Sequence, residues 1–284
     1  MEMMKRGGIG RGPLVAALLL ASALVGPAAA EDAPASAAES SWPALSADVF
    51  GGRPIGDGTG LIALAAPVNH PDAGAIPVTI TTAGPAAGPD RIEKLTLIVD
   101  ENPSPVVASF DVADGAVLAK VETTIRVNRF SSVHLVAETA DGRLLAVERF
   151  VKGSGGCSAR GVELREAALK DLGEMAFSEI GRTPRADGSL ERQVEISVQH
   201  PNYTGMQMDY VTLYYIPAHF MTEMALAQDG RPLVTIESGI SVSENPHFRI
   251  TYATPSRGKD LAVDVSDSEG LRFHRAFPLD ASGT

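Results

Sequence analysis

An all-β protein of two domains is what this sequence predicts, on three observations. Short apolar runs, several alternating in a partly period-two way, recur along the chain and are separated by turn pairs such as Asp114-Gly115, Asp141-Gly142 and Asp229-Gly230, the grammar of a β-sandwich or barrel. The length left after the leader discussed below, 254 of 284 residues, suggests about two domains at the usual ~150 residues each. The strand pattern is interrupted once in mid-chain, by the glycine-rich segment Phe150 to Gly161, FVKGSGGCSARG, which holds the only cysteine, Cys157.

The first thirty residues read as an export signal. Lys5, Arg6 and Arg11 make a basic start, Leu14 to Val25 is an apolar run too short to span a bilayer comfortably, and Ala28-Ala29-Ala30 supplies a small-residue cleavage site before Glu31. A retained anchor is the alternative, opposed by Gly26-Pro27, which interrupts a continuing helix. The expected product is periplasmic or secreted, with no membrane insertion once the signal is cut. Its formal net charge is −11 for the whole chain and −13 without Met1 to Ala30, which removes Lys5, Arg6, Arg11 and Glu2. That balance excludes nucleic acid and anionic membranes as expected partners. A hydrophobic fraction of 44% is enough for packed cores, and one cysteine excludes an intramolecular disulfide framework.

Residues 31–41, rich in Ala, Ser, Pro and acid, read as a disordered lead-in. Phe50 to Gly60 reads as a turn-rich loop. Strands are expected at Leu61 to Ala66, Ile76 to Thr82, Arg91 to Asp100, Val106 to Val112, Val117 to Val127, Val133 to Glu138 and Leu144 to Val151. Beyond the glycine-rich arm, Val162 to Phe177 places apolar residues near helical spacing with Glu and Lys between, so a connecting amphipathic helix is expected. Strands resume at Glu191 to Gln199, Val211 to Ile216, Met221 to Gln228, Leu233 to Ser238, Phe248 to Ala253, Leu261 to Ser266 and Leu271 to Phe277.

Few residues carry chemistry. The six histidines, His70, His134, His200, His219, His247 and His274, are scattered singly, so no metal site is expected, and His70-Pro71 and His200-Pro201 read as turns. The arm lacks the Lys and Ser/Thr of a phosphate loop and is not a GxSxG elbow. The acidic pairs Glu31-Asp32 and Asp100-Glu101 read as solvated surface. Cys157 alone is left as a nucleophile, with Lys152 and Arg160 near enough in sequence to favour a thiolate. Gly153, Gly155 and Gly156 are expected to make the arm mobile and its thiol exposed. An incidental thiol in a linker is the plainer alternative. With no general base to be named, a passive carrier of a thiol adduct fits better than an enzyme, and no catalytic residue and no cofactor are implied.

The stretches PVTITT, KLTLIVDENPSPVVASF and TTIRVNRFSSVHLVAETADGRLLAVERFVKGSGGC, followed by HPNYTG, YYIPAHFM and SGISVSENPHFRI, resemble in that order the SoxYZ sulfur-carrier family, in particular its single-chain members associated with quinoprotein dehydrogenases. The resemblance covers nearly the whole mature chain. It implies two immunoglobulin-like β-sandwiches, a SoxY-like one over 42–152 and a SoxZ-like one over 191–280, joined by the arm and a short helix over 153–190. It further implies that Cys157 is the covalent attachment point for intermediates of thiosulfate oxidation, with Gly153, Gly155 and Gly156 giving it freedom. The partners implied are periplasmic sulfur-oxidising enzymes or quinoprotein dehydrogenase components. A non-covalent accessory or scaffold of a quinoprotein system is the alternative function. Without cargo, a disulfide-linked homodimer through Cys157 is expected. Two departures restrict the arm: Ser158-Ala159 stand where the family has Gly-Gly, and the chain continues into a second domain.

Overall fold

The structure, a computed structural model, describes residues 41–159, 169–186, 188–255 and 258–279. The stretches expected to be a signal peptide and a lead-in, residues 1–41, fall outside them apart from Ser41. One α-helix, α1 (Trp42–Phe50), opens the described chain. It is followed by β1 (Ile55–Asp57), β2 (Ile62–Ala65), β3 (Ile76–Thr82), β4 (Ile92–Val99), β5 (Val106–Val112), β6 (Val117–Ile125), β7 (Ser131–Thr139) and β8 (Leu144–Val151). After the arm come β9 (Met175–Pro184), β10 (Leu190–Val198), β11 (Met221–Gln228), β12 (Arg231–Ser238), β13 (His247–Thr254), β14 (Asp260–Asp267) and β15 (Arg272–Pro278).

Alternation makes these strands. β3 buries Ile76, Val78 and Ile80 and turns the residues between them outward, and β10 does the same with Val194, Ile196 and Val198, so each contributes one apolar face to a two-layer core. The turns carry their own chemistry: Asp229 and Gly230 both have positive φ, 50° and 75°, the requirement of a tight hairpin between β11 and β12. The helix α1 starts with Pro in its first turn and stops at Gly51, φ 65°. Its Trp42 stacks on His134 of β7 at 3.7 Å, which helps cover an outer sheet face where Thr96, Ile98 and Val136 are buried.

Two immunoglobulin-like sandwiches result, and they share both sheets. One sheet runs β1-β8-β7-β4-β5-β12-β11-β14-β15 and the other β2-β3-β6-β13-β10-β9. The halves join edge to edge in each layer: β5 pairs antiparallel with β12, placing Phe110 opposite Ile236, and β6 pairs with β13, placing Val121 opposite Ile250. All four side chains are buried. The junction therefore combines main-chain ladders with a continuous apolar core, and every such large side chain removed from water is worth about 1.5–3 kcal/mol. The described residues form one compact unit.

Three expectations are corrected. Of the helix expected over Val162 to Phe177, residues 162–168 lie outside the described residues; Leu169 and Lys170 are helical, a turn follows, and Met175 to Phe177 begin β9. Val211 to Ile216 is not a strand but an exposed hairpin tip. The loop Phe50 to Gly60 contains the short β1, which runs parallel to β8.

Candidate functional site

The arm leaves β8 and folds down at once. Lys152 donates its amide to the Val68 carbonyl at 2.7 Å, Gly155 to Asn128 at 2.9 Å and Gly156 to Val127 at 3.1 Å. Gly156–Ser158 then form a single 3-10 turn carrying Cys157. The thiol-bearing residue is 0% exposed, which corrects the expectation of a solvent-exposed thiol.

The glycines answer to close approach rather than to freedom alone. A Cβ on Gly156 would stand 2.1 Å from the Ala73 carbonyl oxygen, and one on Gly153 would stand 2.6 Å from Val127 Cβ. Gly155 has φ 73°, a left-handed conformation that costs other residues about 1–2 kcal/mol. All three positions are needed to seat the arm.

The seat is built by both halves of the fold. Thr204 of the second half donates its hydroxyl to the Cys157 carbonyl at 2.6 Å, and Gln207 Oε1 accepts the Thr204 amide at 2.8 Å. On the other side, Asn102 donates to the Arg126 carbonyl at 2.8 Å and to Ser241 Oγ at 3.0 Å, while its Oδ1 accepts the Asn128 amide. Ser243 Oγ donates to the Gly74 carbonyl at 2.7 Å. The SGISVSEN run thus braces the same loops that hold the arm.

Electrostatics at the thiol come from a residue that sequence proximity did not suggest. Burial pushes the Cys157 thiol up, and the Arg126 guanidinium pulls the other way. Arg126 is itself buried, donating Nη1 to the Ile240 and Val242 carbonyls. Burial lowers its pKa to about 10, opposed by Cys157, Glu244 and Asp72. Lys152 is exposed, and Arg160 lies outside the described residues. In this closed form the thiol is neutral at neutral pH, a weak nucleophile out of reach of solutes.

Two other expectations change. Asp100 is buried rather than solvated, bonded at 2.9 Å to His134 Nδ1. His200 is fully buried, and folding brings it to His219 and Asp267 with donor atoms all within 4.8 Å of one another. His200 Nδ1 accepts the Asn202 amide at 3.0 Å, so the neutral ring carries its proton on Nε2, facing Asp267 Oδ2 at 3.6 Å. His219 Nε2 lies 2.8 Å from the same oxygen, and Asp267 Oδ1 accepts the Glu269 and Leu271 amides. An N–H, not a lone pair, points into the group, which makes it a clasp on a buried carboxylate rather than a metal site.

Burial holds His200 down to about 4, helped by the neighbouring His219. A neutral folded histidine that is free to protonate when unfolded contributes stability that is complete above pH 6.5 and lost as pH falls toward 4. Thermal unfolding between pH 7 and pH 4 should show a loss of roughly 3 kcal/mol that is absent in His200→Gln. An equal acid loss in both proteins would assign it elsewhere.

Comparison with known proteins adds the following. The sequence profile of the family described as "Sulfur oxidation protein SoxY" matches residues 46–157, ending on the cysteine, and that of "Sulphur oxidation protein SoxZ" matches residues 183–278. No curated protein matches the chain. Among solved structures it is similar to the sulfur carrier protein SoxY from Chlorobium limicola f thiosulfatophilum, with 26% identity over 38% of this chain and 88% of that one and a TM-score of 0.32. It is also similar to a beta-glycosidase from Bacteroides vulgatus, with 9% identity over 77% of this chain and 24% of that one and a TM-score of 0.23. Both scores are too low to bear on the fold.

Proposed function

Because the chain belongs to the SoxY and SoxZ families of sulfur oxidation proteins, joined in one polypeptide, we propose that it carries sulfur intermediates covalently on Cys157 and presents them to partner enzymes in the periplasm. The observation that carries this reading is the position of Cys157: the only thiol of the chain sits on a jointed arm where the SoxY match ends, held by hydrogen bonds from both halves. Joining an intact thiosulfate ion to it through the ion's terminal sulfur forms an S–S bond and leaves a thiosulfonate adduct, with the thiol proton and two electrons lost, the electrons to a redox partner. The protein itself supplies the thiol and the docking surfaces, not the chemistry of oxidation.

A buried thiol sets the working cycle. The docked arm keeps a reactive group out of an oxidising compartment, and loading requires the Gly155, Gly156 and Thr204 hydrogen bonds to open. Because the folded thiol holds its proton more tightly than an unfolded one, the docked form is favoured below the usual thiol range and loses stability as pH rises through it.

The same burial favours a second reading, a non-covalent accessory protein of a quinoprotein dehydrogenase in which Cys157 only fills its seat. Alkylation separates the two. Protein from cells oxidising thiosulfate is denatured and treated with a thiol reagent, with and without prior reductant. A carrier yields Cys157 that is blocked until reduced, whereas a thiol that alkylates fully without reductant belongs to a scaffold.

A further inference from the structure

The hairpin that rises from Thr204 to Ala218 displays the most exposed apolar side chains of the described protein. Tyr210 is 63% exposed, Val211 91%, Leu213 68%, Tyr214 76% and Tyr215 65%. These residues are not out because the segment is loose. Asp209 accepts the Leu213 amide on its carbonyl and the Val211 and Thr212 amides on Oδ1, its own amide donates to Tyr214, and Ile216 donates to Gln207. Leu213 is held at φ 59°, a strained conformation for a bulky side chain. A turn bonded in this way fixes five large side chains outward, a preorganised surface rather than a failed core.

The base of the hairpin is the seat of the arm. Thr204 bonds the Cys157 carbonyl, Tyr203 pairs with His219, and His219 Nε2 in turn bonds Asp267 Oδ2 at 2.8 Å. A partner bound at the tip is therefore held on the same element that seats the arm, with Val211 no more than ~25 Å along the chain from Thr204. Building on the carrier reading, we infer that this tip is the docking surface for the protein that exchanges cargo with Cys157, a partner offering an uncharged apolar cleft with hydrogen-bonding groups for tyrosine hydroxyls.

Charge and size select that occupant. Residues 205–217 contain one ionic side chain, Asp209, and no Lys or Arg, in a chain of net charge −11. Surfaces that lie on anionic membranes combine apolar groups with a basic face, and this one has none. A stable second copy needs about 20–30 residues a side. Five side chains rich in tyrosine, a residue type favoured at interface hot spots, suit a brief encounter instead, and brief encounters are what a carrier requires.

The test is the full-length variant Val211→Ser, Leu213→Asn, Tyr214→Ser, in which Asn accommodates the positive φ of position 213. Its melting temperature, and its reaction with a small thiol reagent once reduced, should match those of the parent. Reductant-labile loading of Cys157 in cells oxidising thiosulfate should fall at least about tenfold. Equal loading of variant and parent overturns the docking surface. A parent that never loads overturns the carrier reading and this inference with it. A parent dimer in sedimentation velocity that the variant lacks would give the tip to self-association, and co-sedimentation of the parent alone with phosphatidylcholine vesicles would give it to lipid; either result also overturns the inference.

Discussion

Cys157→Ser is expected to abolish sulfur loading and carrier-dependent thiosulfate oxidation while lowering the melting temperature by only a few degrees. The side chain is buried, so a serine places a hydroxyl where a thiol stood, at a cost of about 1–3 kcal/mol if it finds no partner. At this chain length each kcal/mol is worth about 2–4 °C. The core strands do not depend on the residue, because the arm lies outside both sheets. Chemistry responds differently: serine has no anionic form near neutral pH and cannot form an S–S bond. Cys157→Ala, which adds no buried hydroxyl, should melt closer to the parent and be equally inactive. Full activity in both variants at normal expression would make the protein a scaffold.

Gly156→Ala should have the opposite signature, keeping the thiol and losing its protection. The new methyl group would stand 2.1 Å from the Ala73 oxygen and 2.7 Å from the Val127 oxygen. Neither backbone can yield cheaply, because the Val127 amide donates to that Ala73 carbonyl at 2.9 Å. The arm must lift. Overpacking of this kind costs about 1–3 kcal/mol, so native-state alkylation of Cys157 should quicken about ten- to hundredfold, with the sandwiches intact. Gly155→Ala meets only Ser158 Oγ at 3.7 Å and bears the strain of φ 73° alone, so its effect should be smaller. Equal labelling rates for the parent and Gly156→Ala would show that the seat does not guard the thiol.

Strands were legible as short apolar runs ended by turn residues such as Asp114-Gly115, Asp141-Gly142 and Asp229-Gly230. Ile76 to Thr82, Val106 to Val112, Leu144 to Val151 and Met221 to Gln228 have the expected bounds, although only some of them, such as Ile76 to Thr82, bury one face alone. β9 was not legible, because the inward, half-buried position 179 is a glutamate paired with the buried Arg192, and a charged residue breaks the pattern that marks a strand. Val211 to Ile216 failed for the converse reason: apolar residues normally mean burial, and here they are displayed. The cysteine itself was plain in the sequence, but its environment was not. A run of glycines reads equally as a mobile tether and as backbone pressed against backbone, and only the positions of Ala73 and Val127 distinguish them. Arg126 and Thr204 stand within the TTIRVN and HPNYTG motifs, yet lie 31 and 47 residues from Cys157, so no local spacing could join them to it.

The central claim, covalent carriage on Cys157, is tested most directly by intact mass spectrometry of the full chain isolated without reductant from cells oxidising thiosulfate, followed by mapping of the Cys157 peptide. The account predicts added sulfur or sulfonate-bearing mass confined to that peptide and removed by reductant. A chain of unmodified mass under those conditions, or an adduct that persists when Cys157 is replaced, would contradict it.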